Sequence, residues 1–228
     1  MGQGNRIGRM AGRTLRVLAL AAAGAAVWLA VTGLGCPGAG CAGTAAAAPF
    51  GELIVLKGRA IVTRGGTPFF VLDRALVEEG DRVDTLAGAR ARLVMGTPDQ
   101  GMQAILASRT TLTVHSLQSR AASPLSLVYG TLRVRVRAWG GPPIVATRAA
   151  AIGIKGTDFV TWVKRPKAAE FVGVEGLIEC VSRSNPDFSI RIGPRQWGEI
   201  VENEQPKPPV SVPDDIWEEV QRDLAFPK

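Results

Sequence analysis

A single histidine, His115, among 228 residues leaves little for hydrolytic or metal chemistry. A nucleophile needs a positioned base, and a structural zinc needs four ligands. In Thr111-Leu112-Thr113-Val114-His115 the alternation puts Leu112 and Val114 on one face and turns His115 toward solvent, with neither a serine elbow nor a metal-ligand spacing beside it. Cysteine is equally scarce. Of three, Cys36 and Cys41 lie near the amino terminus, and Cys180 follows Ile178 by two at an inward strand position, the setting of a small buried hydrophobe. No disulfide framework is expected, although a retained Cys41 leaves a pairing with Cys180 open. Gly153-Ile154-Lys155-Gly156-Thr157 fails as a phosphate loop, because its lysine precedes the second glycine and β-forming residues follow where a helix should open. The chain is therefore read as non-enzymatic, with no catalytic residue, metal ligand or cofactor assigned.

Acid is missing from the start of the chain. Arg6, Arg9, Arg13 and Arg16 precede an uncharged run from Val17 to Gly35, and an alanine-rich stretch, Ala42 to Ala48, follows. That order is a secretory leader, with Ala45-Ala46-Ala47 as the small residues before a cleavage point near Ala47. The apolar run, at about 18 residues, is also long enough to stay as an inner-membrane anchor through residues 17–35. A third reading lipidates Cys36 in Gly33-Leu34-Gly35-Cys36. All three carry the remainder out of the cytoplasm, to the periplasm or cell envelope. Setting aside those four arginines leaves 23 basic residues against 20 acidic, a net +3 in place of +7, so the high pI is no argument for nucleic acid.

What remains is strand-like. Short runs of Val, Leu and Ile alternate with Arg and Thr, and glycine opens several of them: Gly58 before Ala60 and Val62, Gly130 before Leu132, Val134 and Val136, Gly176 before Ile178 and Cys180. Their irregular spacing excludes a fixed-period repeat. The expected fold is all-β, either a sandwich or a stacked-hairpin, β-solenoid-like body over residues 50–200, after a leader or anchor at 1–47. Pro206, Pro208, Pro209 and Pro213 then mark a stiff linker at 201–213. A short amphipathic helix at 214–225 closes the chain, with Asp214 and Asp215 at its positive end and Ile216, Val220 and Leu224 on one face. About a dozen residues is marginal for a helix alone, so it should dock on the β body.

Two features stand out as candidate sites. Gly153, Gly156, Thr157, Asp158 and Phe159 interrupt a strand pattern with glycine and set a carboxylate among apolar residues; the expectation is a bulge, with Asp158 accepting backbone N–H bonds or pairing with an arginine. Arg133, Arg135 and Arg137 alternate with Leu132, Val134 and Val136, which places three guanidinium groups on one strand face within about 14 Å. Arg90 and Arg92 repeat the device. Such a face is either solvated edge protection or a patch for an anionic envelope partner such as a lipid headgroup, a glycan or an acidic protein.

Taken in order, Leu56-Lys57-Gly58-Arg59-Ala60-Ile61-Val62, Gly80-Asp81-Arg82-Val83-Asp84-Thr85, Val128-Tyr129-Gly130-Thr131-Leu132-Arg133-Val134, and Thr147 followed by Gly156-Thr157-Asp158-Phe159 resemble the successive motifs of the FecR domain family. Arg148 stands where that family often has proline. The resemblance covers roughly Glu52 to Val181. It implies a β domain outside the cytoplasm that senses or binds a protein partner. In the best-known members an amino-terminal cytoplasmic domain controls a sigma factor; with only about 16 residues before the apolar run, that role is not carried over. The functional expectation is an envelope interaction or sensing module, and the alternative is a scaffold that binds anionic lipid or polysaccharide along the arginine row.

Overall fold

The computed structural model describes residues 49–96, 101–115, 123–137 and 144–227. The leader, Cys36, Cys41 and the turn expected at 140–143 lie outside the described residues. Fifteen strands and one helix are described: β1 Pro49–Lys57, β2 Ala60–Arg64, β3 Thr67–Val71, β4 Arg74–Glu78, β5 Arg82–Thr85, β6 Arg90–Gly96, β7 Gly101–Leu106, β8 Thr111–Val114, β9 Leu125–Val136, β10 Val145–Ala146, β11 Ala150–Arg165, β12 Ala168–Ser182, β13 Ser189–Ile192, β14 Gln196–Val201, β15 Val210–Ser211 and α1 Asp214–Asp223.

Backbone pairing joins the strands into one continuous sheet that doubles over itself. One layer runs β4-β1-β6-β7-β9-β11-β12-β14-β15, and the other runs β3-β2-β5-β8-β9-β10-β11-β12-β13. Strands β9, β11 and β12 are long enough to serve in both. Thus β9 pairs with β8 up to Tyr129 and with β7 from Leu132 onward.

Side chains alternate along a strand with a period of two, so a strand that changes layer must break its own parity to keep its apolar residues inward. The recurrent glycines sit at those breaks. In β9, Leu125 and Leu127 point into the core before Gly130, whereas Leu132, Val134 and Val136 do so after it. Gly130 has φ +100, and a Cβ there would stand 2.6 Å from the Thr110 backbone. In β12 the inward set changes from Ala169 and Phe171 to Ile178 and Cys180 across Gly176, where φ is +76 and a Cβ would stand 2.7 Å from the Gly156 carbonyl oxygen. Neither position accepts a side chain without strain.

Folding the sheet over buries a single core that takes Leu53, Leu93, Leu132 and Phe159 from the first layer and Val83, Leu112, Leu125 and Ile190 from the second. The all-β expectation holds in its sandwich form. Cys180 lies fully buried in this core as a free thiol, and burial pushes its ionisation well above the ordinary range.

Strands β4, β5 and β14 lack the plain apolar alternation of the glycine-led runs, because each is short and mixes charged with apolar residues. The proline-rich stretch is not wholly a connector: Val210–Ser211 adds β15 to the edge of β14, where proline neighbours cost no ladder bond. Pro213 caps the helix rather than opening it, and α1 ends at Asp223. That helix packs outside the first layer, where Val220 and Leu224 meet Ile105 and Val160 in a second, smaller apolar cluster joined by Leu56, Trp162 and Phe226. Among the described residues no helix is long and apolar enough to cross a membrane.

Candidate functional site: the outer sheet face beneath the C-terminal helix

The Gly-Thr-Asp-Phe stretch builds the centre of this face. Pairing of β11 with β12 slips on both sides of Asp158, and Gly156 adopts φ +54 within the slip. This bulge re-aims the strand: Ile152 and Phe159 both point into the core, an even and an odd position, and Asp158 emerges on the outer face opposite Arg135 of β9. Thr157 is buried beside it, and Gly153 pairs with Glu179 in the regular part of the strand.

Asp158 then gathers the arginines. Arg133 donates through Nε and Nη2 to the two carboxylate oxygens at 2.8 and 3.0 Å, and Arg135 donates through Nε to Oδ2 at 3.0 Å. The Arg133 and Asp158 side chains are only 4% and 2% exposed. Such a bidentate pair satisfies both ions where water is excluded. Of the two partners open to Asp158 in the sequence, backbone amide or arginine, the structure shows arginine.

The carboxyl-terminal segment closes over this knot. Arg133 Nη1 donates to the Leu224 carbonyl at 3.2 Å, and Arg90 Nη1 donates to the Asp223 carbonyl at 3.0 Å. Two guanidinium groups thereby meet the carbonyl end of α1, the end that favours cations. Phe226 stacks across the row, its ring centre 5.3 Å from the Arg133 guanidinium carbon and 4.3 Å from that of Arg135. At the other end of the helix, Arg195 pairs with Asp214 and lies 5.1 Å from the Trp217 ring.

The expectation of one cationic face on Arg133, Arg135 and Arg137 is corrected accordingly. Arg133 is buried, Arg135 is half-covered by Phe226, and Arg137 lies at the exposed end of the row. A carboxylate on the neighbouring strand and a tail from the end of the chain occupy what strand alternation alone would leave in solvent.

Between α1 and the sheet runs a cavity of about 1140 Å³. Its floor crosses six strands in register: Lys57, Arg90, Ala107, Thr131, Trp162 and Glu170. At about 4.8 Å per strand that row is about 24 Å long. Trp197, Val210, Ile216 and Val220 form its wall. No residue of this groove was singled out as a site in the sequence, apart from Arg90; the residues are too far apart along the chain to form a pattern.

Other motif residues are structural. Asp81 of the Gly-Asp turn is fully buried, accepts from Arg64 Nε at 3.0 Å and from the Glu78 amide at 2.8 Å, and raises the Arg64 guanidinium above its usual value. His115 does not simply face solvent: it is half-buried and lies 2.9 Å from the Ser126 hydroxyl across the β8–β9 pairing. Among the described residues no group of three or more His, Cys, Asp or Glu side chains converges.

Residues 81–179 match the FecR protein family. The match is confined to this segment, under half of the 228 residues. The match opens at Asp81, so it includes the Gly130, Gly156 and Gly176 crossings but leaves out Leu56–Val62, α1 and the tail that latches it. No curated protein matches the chain. Two crystal structures described as a "putative anti-sigma factor" from Parabacteroides distasonis ATCC 8503 overlay with TM-scores of 0.46 and 0.48, each at 14% identity and over 60% and 62% of this chain. The chain spans 64% of the length of each.

Proposed function

We propose that this FecR-type protein is a non-catalytic, exported sensing or protein-interaction module of the bacterial cell envelope, delivered by residues 1–47 and either released into the periplasm or retained at the inner membrane through residues 17–35. The FecR match over residues 81–179 supports the signalling role. The observation that carries the interaction role is an exposed apolar corner. Among the described residues strand β3 pairs only with β2, and β4 only with β1. On and between these two edges Phe70, Leu72 and Leu76 are 63%, 69% and 60% exposed. Unpaired strand edges beside large apolar side chains are where a second chain adds a strand, and the partner expected here is an envelope protein offering an extended segment. The scaffold reading along Arg133, Arg135 and Arg137 is less favoured, because Asp158 holds Arg133 and Phe226 covers part of Arg135.

Replacing Leu72 with a photoreactive residue in growing cells should give one discrete adduct with an envelope protein, and Phe70→Ser with Leu76→Ser should abolish it. A folded, envelope-localised protein that forms no protein adduct on illumination would contradict the reading.

A further inference from the structure

The groove under α1 has the shape and charge of a ligand site that the interaction role does not use. Its volume, 1140 Å³, exceeds what packed side chains leave in a domain interior and reaches the upper end of small-molecule pockets, roughly 300–1,000 Å³. Its middle is apolar, with Ala107 and Trp162 below and Ile216 and Val220 on the wall. Its ends differ. At the β12 end Glu170 is answered by Lys164 at 3.4 Å. At the β1 end the helix carboxylates Asp223 and Glu219 face Arg222, which bonds the first at 2.9 Å. Glu170 thus has Lys164, while Asp223 and Glu219 share Arg222. Two cations there have no carboxylate hydrogen-bonded to them: the Lys57 side chain makes no hydrogen bond or ion pair among the described residues, and its cross-strand neighbour Arg90 donates to the Asp223 backbone carbonyl, with the Asp223 carboxylate close enough to feel its charge.

We propose that this groove binds a long-chain fatty-acid carboxylate, with the carboxylate between Lys57 and Arg90 and the single alkyl chain laid across the strands over Ala107 toward Trp162. An unbranched chain fits a groove about 24 Å long, which crosses the strands at right angles and so offers no backbone ladder to a peptide. The apolar chain excludes water from the wall of α1, and the carboxylate supplies the charge that Lys57 lacks. This assignment is tested by a different signal from the protein partner sought at Leu72.

The test is calorimetric titration of the purified full chain with sodium palmitate below its aggregation concentration, with tryptophan emission followed in parallel. The expected result is saturable binding of one palmitate per chain, with 1-hexadecanol binding about tenfold more weakly. Lys57 is exposed, so its variants should fold normally, as circular dichroism would verify. Lys57→Glu should weaken palmitate about tenfold or more, and Lys57→Arg should keep it within about twofold. Absence of saturable binding, equal affinity for hexadecanol, or an unchanged Lys57→Glu variant would each overturn the proposal.

Discussion

Asp158→Ala should cost about 3–5 kcal/mol of folding stability, read as a fall in the urea midpoint, without altering the far-ultraviolet strand signal of whatever fraction remains folded. The cost comes from what is left behind. Arg133, with a side chain 4% exposed, would keep its charge but lose both carboxylate bonds, and Arg135 would lose its partner as well. Asp158→Asn should be almost as harmful, because it preserves shape while removing the charge. Replacing both ions with apolar residues, Arg133→Met with Asp158→Leu, should recover much of the loss, since no buried charge then stands alone. If Asp158→Ala is neutral, the ion pair does not hold the two strands as described.

Ending the chain after Val212 removes α1 and its latch, and the expected loss is smaller but visible in two ways. Burial of Val220 and Leu224 against Ile105 and Val160, together with Phe226 on the arginine row, stabilises by about 3 kcal/mol after the ordering cost of a short helix is deducted. The truncated protein should therefore unfold at lower urea. It should also bind more of an apolar dye than the intact chain does, because the outer cluster around Ile105, Val160 and Trp162 would face water. The main core lies on the opposite side of the sheet and should persist, so unfolding should stay cooperative. Unchanged stability and dye binding would mean that the helix contributes nothing to this face.

How much of this was legible in the sequence follows from the range of each interaction. Alternating Leu, Val and Ile gave the strands, and the 216-220-224 spacing gave a helix that docks. Gly130 and Gly176 were visible as interruptions, but their purpose was not, because the change of inward parity shows only when Leu127 and Leu132, or Phe171 and Ile178, are seen in one core. Arg133 misled because strand alternation describes a single strand: its carboxylate comes from 25 residues away and its carbonyl partner from 91. The groove joins residues still more distant, as the 133-residue separation of Arg90 and Asp223 shows. Strands β4, β5 and β14 were missed because edge strands and partly exposed strands carry charges that blur the period of two.

The carboxyl-terminal helix is clamped to the outer sheet face through Arg90, Arg133 and Phe226. Hydrogen exchange of the backbone amides in Trp217–Asp223 measures this directly, since ten residues would not hold a helix in water without docking. Slow exchange is expected there in the intact protein, and fast exchange in Phe226→Ala with Arg90→Gln. Exchange at free-peptide rates in the unmodified chain would contradict it.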